Sequence, residues 1–224
     1  MKKIIYVFLL LTIPGIIQSA AADGEKKSNT YTLEEDLIFY TAEGDLTQVQ
    51  ELLNQGASLK TTTKQGSSLL YLAAQAGHLE LVKFLCDQGL RSAINEKNQE
   101  GGTPLLAAAQ KGYFDVVKFL LVHDADPSMQ VNSGTPLMFA AQNGHATVVD
   151  VLVTHYKNKK NMAVKDIPFI ADAVKLAFEN RHYRIFDDLG NLLNQEGVFL
   201  DRQLQDALNN KFYEAAPVKA GERE

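Results

Sequence analysis

The sequence is short of several things that would commit it to a chemistry. It holds one cysteine, Cys86, so no disulfide can form within the chain and no thiolate cluster can hold a metal. Positive charge is not in excess: 22 basic residues stand against 27 acidic ones, a formal net charge of −5. A mildly acidic chain has no general electrostatic attraction for nucleic acid or an anionic membrane. The one apolar stretch at the start, Ile4 to Ile17, is short for a membrane span of about 20 residues and is broken by Pro14-Gly15. There is no Gly-rich phosphate loop, and no two of the five histidines have the spacing of a zinc site.

What is present is the profile of a globular protein, 224 residues with 46% hydrophobic and 22% charged side chains. The first 22 residues depart from that profile. Met1-Lys2-Lys3 is a positive start, the apolar stretch follows, and Ser19 to Ala22 form a small-residue exit. These are the three parts of a secretory signal peptide, expected to be cut after Ala20 or Ala22. Both lysines leave with it, so the mature chain carries a charge near −7. The brief Lys-Lys start resembles bacterial signal peptides and implies a periplasmic or secreted protein, with no membrane contact after cleavage. Residues 23–32 are expected to be a flexible lead-in.

Three stretches then superimpose: Ser68-Leu69-Leu70-Tyr71-Leu72-Ala73-Ala74-Gln75-Ala76-Gly77-His78, Thr103-Pro104-Leu105-Leu106-Ala107-Ala108-Ala109-Gln110-Lys111-Gly112-Tyr113, and Thr135-Pro136-Leu137-Met138-Phe139-Ala140-Ala141-Gln142-Asn143-Gly144-His145. Their glycines are 35 and 32 positions apart, a period that signals stacked units. Thr103 and Thr135 suit helix N-caps, Pro104 and Pro136 the first turn, and Gly77, Gly112 and Gly144 a left-handed helix exit. An amphipathic stretch follows each glycine, as in Leu81-Val82 with Phe84-Leu85, or Val116-Val117 with Phe119-Leu120.

These residues closely resemble the ankyrin repeat, with its Thr-Pro-Leu-His-x-Ala-Ala signature followed by Gly-His. The resemblance implies an all-α solenoid of stacked helix-turn-helix units over residues 33–214. Repeats are expected at about 33–65, 66–100, 101–132 and 133–165, and a divergent cap at 166–214. Leu33 to Gln55 reads as the polar N-terminal cap. Beyond the fourth repeat, Pro168 to Asn180 and His182 to Leu193 read as helices, with Arg181 where glycine belongs. A last helix is expected from about Asp201 to Phe212, then a frayed tail at 215–224. Two connections look long: Ser92 to Gly101, and a link from Tyr156 to Ile167 bearing Lys157, Lys159, Lys160 and Lys165. The second reads as a solvated connector, with an acidic docking strip as its alternative.

No catalytic constellation appears. Cys86 reads as a small apolar filler, and His78 and His145 as structural residues of the Gly-His place. Asp124 and Asp126 lie in a repeat turn, and Asp187-Asp188 point apart on a helix. The chain is therefore expected to be no enzyme, to need no cofactor and to bind no metal.

In the ankyrin family the partner lies on the concave face, built from hairpin tips and the exposed side of the first helices. Carried onto this chain, the tips supply Lys64, Gln65 and Ser67, then Gln99 and Glu100, then Met129, Val131 and Asn132. The helices supply Gln75 and Ala76, Gln110 and Lys111, and Gln142 and Asn143. Gln75, Gln110 and Gln142 form a column of identical residues. Tyr71, Leu106 and Met138 stand where the family usually has histidine, which makes that strip more apolar. The expected function is binding of a folded protein by a monomer. As an inhibitor or immunity-type protein it would block an envelope enzyme. The alternatives are a secreted effector that engages a host protein, or a periplasmic stress-protection protein supporting an enzyme such as a catalase.

Overall fold

The computed structural model describes residues 32–159, 162–167 and 169–210. The segment expected to be a signal peptide, residues 23–31 of the expected lead-in, and the expected tail lie outside the described residues, as does Pro168. Among the described residues ten α-helices follow one another in five antiparallel pairs: α1 Leu33–Glu43 and α2 Leu46–Asn54; α3 Leu69–Ala76 and α4 Leu79–Asp87; α5 Pro104–Lys111 and α6 Phe114–Val122; α7 Pro136–Gln142 and α8 Ala146–Lys159; α9 Ile170–Glu179 and α10 Tyr183–Gln195. A single helix, α11 Arg202–Asn210, follows the last pair.

In the first four pairs the first helix starts where a hydroxyl can accept from an orphan backbone donor, whereas α9 follows Phe169 with no side-chain cap. Ser68 Oγ accepts from the N–H of Tyr71 at 3.2 Å, Thr103 Oγ1 from Leu106 at 3.2 Å and Thr135 Oγ1 from Met138 at 3.3 Å. Pro104 and Pro136 sit at N1, as their fixed φ favours. In α1 a capping box does this work, with Thr32 Oγ1 accepting from Glu35 N–H and the Glu35 carboxylate from Thr32 N–H, both at 3.2 Å.

The first helices stack side by side, α1 on α3, α3 on α5, α5 on α7 and α7 on α9. Alanine makes this approach possible: Ala73, Ala74, Ala108, Ala109, Ala140 and Ala141 are all fully buried. The second helices pack alongside and shut the core with Val82, Leu85, Val117, Leu120, Val149 and Leu152. No unit could bury its own apolar face, so stacking closes the core.

The structure departs from the sequence reading at the connections. Helix α8 runs on through Lys159, so Tyr156 to Lys159 are helix and not linker. Tyr156 is 1% exposed, a core residue whose hydroxyl burial holds well above its usual protonation range. The rest of the link is tied down: Val164–Asp166 form a short 3-10 helix with Val164 and Ile167 buried. Glu196 clamps it, its carboxylate accepting from the N–H of Val164 at 2.9 Å and of Lys165 at 3.0 Å. Lys157 and Lys165 thus flank a carboxylate of their own chain. The other long connection is also structured, since Leu90–Ala93 form a 3-10 helix that buries Ala93 and Ile94. Helix α9 begins at Ile170, α10 ends at Gln195, and α11 is described over Arg202–Asn210.

Candidate partner-binding face

The first helices leave the C-terminal ends of their outer sides open, and there Gln75, Gln110 and Gln142 are all exposed. The backbone beneath Gln110 and Gln142 is pinned from the next repeat. His145 Nε2 donates to the Gln110 carbonyl at 3.1 Å and His182 Nε2 to the Gln142 carbonyl at 3.0 Å; His78 does the same to Ala42 at 2.9 Å. A carbonyl only accepts, so Nε2 carries the proton in each. These rings lie over glycine. A Cβ at Gly112 would meet His145 Cε1 at 2.7 Å, and one at Gly144 would meet His182 Cε1 at 2.6 Å. Tyr113 takes the same place over Gly77. His78, Tyr113 and His182 stand at the N-caps of α4, α6 and α10 but make no capping bond, because the ring is turned to the preceding repeat.

Each ring's glycine has the backbone expected of it, with φ of +81° at Gly77, +80° at Gly112 and +81° at Gly144. Arg181 holds the same left-handed conformation at +65° without glycine's freedom. The weak echo of the repeat in Arg181-His182 is therefore a true structural copy.

Beside the helices the hairpin tips form a continuous ribbon. Gln99 N–H donates to the Gln65 carbonyl at 3.0 Å, and its side chain lies across Gly66, where a Cβ would come within 3.2 Å. Val131 lies against Gly101 in the same way, at 3.5 Å. In the third tip Val131 pairs with Gly134 across Asn132 and Ser133, both at positive φ. That is the geometry of a two-residue hairpin turn, which asparagine tolerates better than serine.

Of the residues expected on this face, Lys64, Gln75, Gln99, Glu100, Gln110, Lys111, Asn132, Gln142 and Asn143 are exposed. Gln65, Ala76, Met129 and Val131 are half-buried. Ser67 is the correction: it is 6% exposed, its Oγ accepts from Asn98 Nδ2 at 3.3 Å, and its N–H donates to Thr63 Oγ1 at 3.1 Å. It stitches the tip internally and offers nothing outward. Asn143 is partly spoken for, since its Nδ2 donates to the Phe139 carbonyl at 2.8 Å.

Asn98 is the residue the sequence reading missed. Its Oδ1 accepts from the N–H of Gly102 at 2.7 Å and of Glu100 at 3.1 Å, while its amide reaches Ser67 and the Tyr71 hydroxyl. An asparagine three residues ahead of Gly101-Gly102 is a local turn signal that would have found it. Burial pushes the Tyr71 hydroxyl up, the Glu100 charge adds to this, and the bond from Asn98 opposes it. Along the strip Leu106 is 4% exposed, with Tyr71 and Met138 half-buried on either side.

Reactive chemistry is not assembled near this face. Cys86 is buried and its thiol is pushed up by desolvation, away from thiolate reactivity. His123, at the end of α6, caps its own helix through Nδ1 to the Phe119 carbonyl at 2.8 Å. Among the described residues no group of three His, Cys, Asp or Glu side chains lies close enough to hold a metal ion, and no helix is long and apolar enough to cross a membrane.

A comparison with curated proteins finds no match. A family profile described as "Ankyrin repeats (3 copies)" matches residues 37–131 and 91–166, together more than half of the chain. With that match laid over the stacked helix pairs, the chain belongs to the ankyrin-repeat family, whose members generally bind proteins rather than catalyse reactions.

Proposed function

We propose that this chain is an exported binder whose concave face docks on one folded protein. We read it as an inhibitor or immunity-type protein that covers the active cleft of an enzyme in the cell envelope. The observation that carries the binding surface is the row of exposed Gln75, Gln110 and Gln142 beside the linked tips, held by bonds that cross from repeat to repeat. Such a face is pre-organised, so docking orders little that is not already ordered. It is polar and lightly charged, with Lys64, Lys111 and Glu100 interspersed, which suits a protein surface better than a phosphate backbone. Export rests on the composition of the first 22 residues, and it narrows the target to something met outside the cytoplasm.

The test is affinity capture from periplasmic extract with three baits: the mature chain, a Gln110→Arg/Gln142→Arg variant, and an outer-face control, Val122→Asp, at a position 70% exposed. The expected result is an envelope enzyme held by the first and third baits, released by the second, and inhibited by the purified chain. Recovery of no envelope enzyme would sink the reading. Fractionation separates it from the effector alternative, which places the chain in the medium.

A further inference from the structure

The tip of the third hairpin holds an asparagine whose neighbour in the chain is a free nucleophile. Asn132 and Ser133 form the two-residue turn between Val131 and Gly134, both exposed, with φ of +48° and +64°. Val131 and Gly134 bond each other across it: Val131 N–H donates to the Gly134 carbonyl at 3.0 Å, and Gly134 N–H to the Val131 carbonyl at 2.8 Å. The two residues between them are left over. No hydrogen bond of the Ser133 N–H, nor of the Asn132 side-chain amide, is found among the described residues.

Asparagine is thermolabile because the next backbone nitrogen can attack its side-chain carbonyl carbon. The attack needs a small following residue and freedom of both reacting groups. Among the described residues only Asn132 and Asn143 precede serine or glycine. By sequence Asn143-Gly144 is the more reactive pair, since glycine shields its own nitrogen least. The fold reverses that order. At the end of α7 the Asn143 Nδ2 donates to the Phe139 carbonyl at 2.8 Å, which holds the amide back along its own helix. Gly144 N–H donates to the Ala141 carbonyl at 3.3 Å, and the His182 ring lies against Gly144. Turning that nitrogen onto Asn143 breaks both bonds and disturbs a packed contact. At Asn132-Ser133 there is neither bond to break.

We propose that Asn132 is a site of spontaneous deamidation, converted in the folded chain ahead of Asn143. The Ser133 nitrogen gives up its proton to base and bonds to Asn132 Cγ. The bond from Cγ to Nδ2 then breaks, and that nitrogen leaves as ammonia. The cyclic imide that remains opens when water adds at either of its carbonyls, so position 132 becomes aspartate or isoaspartate. A water is consumed, an ammonia is released, and nothing is oxidised or reduced. Either product adds a negative charge at the tip, and isoaspartate also lengthens the main chain between Val131 and Gly134. The tip lies on the face proposed to bind, so conversion alters that face, but the chemistry stands apart from that function.

The test incubates the full chain in mildly alkaline buffer made with heavy-oxygen water, once folded and once in guanidinium chloride. Peptide fragmentation in a mass spectrometer then assigns the incorporated oxygen to position 132 or 143. In the folded chain the label is expected at position 132 while Asn143 keeps its amide. In guanidinium the order should invert, because the bonds that hold Asn143 and Gly144 are gone. Asn132→Gln should lose the label at the tip, Asn143→Gln should leave it unchanged, and Ser133→Gly should bring it sooner. A thermal melt like that of the unaltered chain shows that each variant is folded. Label at position 143 ahead of 132 in the folded chain overturns the proposal. So does one order in both samples, or an unlabelled position 132 when the denatured sample is already converted at 143.

Discussion

At Gly112 two physical demands fall on one missing atom: the backbone is left-handed, and the His145 ring occupies the space a Cβ would need. Gly112→Ala is therefore expected to cost about 2–3 kcal/mol in urea unfolding, from the αL penalty and the displaced bond to Gln110. Removing the ring first should relieve part of that cost. In a double-mutant cycle, His145→Ala/Gly112→Ala should lose less than the two single changes added together. Arg181 shows the reverse case, a long side chain in the same left-handed place, 65° instead of 80°. Arg181→Gly is expected to raise stability by about 0.5–1 kcal/mol, measured by the same unfolding curve. Gly144, whose ring partner His182 is the neighbour of that arginine, should be as intolerant as Gly112.

Among the elements, the 3-10 turn at Val164–Asp166 depends on a residue outside itself. Glu196 is held below the usual carboxylate range by the N–H groups of Lys165 and Val164 first, and by the charges of Lys165 and Lys157 after them. A folded-state value below the unfolded one means that Glu196 stabilises the fold above the ordinary carboxylate range, and that this is lost as pH falls through the lowered value. Melting temperature should therefore drop on acidification more steeply in the parent chain than in Glu196→Gln, measured between about pH 6 and pH 3. Such an element was hard to read in the sequence, because its bonds join positions more than 30 apart. The helix pairs were legible, since caps, alanines and exit glycines are local. The extension of α8 was legible too, in the spacing of Val149, Leu152, Val153 and Tyr156, but four nearby lysines masked it. On the candidate face, Gln75, Gln110 and Gln142 could be placed from register alone. Ser67 could not, because its burial comes from Asn98 of the next tip.

For the stack from Thr32 onward, the last pair says how the repetition stops. Phe178 stands in the column of Thr41, Ala74, Ala109 and Ala141, where a further first helix would need a small residue. Its ring instead packs on Phe186 at 4.9 Å between centroids. Helix α11 covers the neighbouring side, with Leu208 so close to Gly190 that a Cβ there would come within 2.9 Å. Stability in such an array is a sum of units and their interfaces. Ending the chain after Gly197 should therefore speed amide hydrogen exchange in α9 and α10 and leave α3 and α5 nearly unchanged. The rings laid on glycine also give the stack a direction in time. At the left-handed exits of the first helices, Gly44, Gly77, Gly112 and Gly144, each notch belongs to a repeat earlier in the chain than the ring that fills it. A ribosome makes the notch before the plug, so each new unit emerges onto a finished template, and assembly can keep pace with synthesis without waiting for the C-terminus.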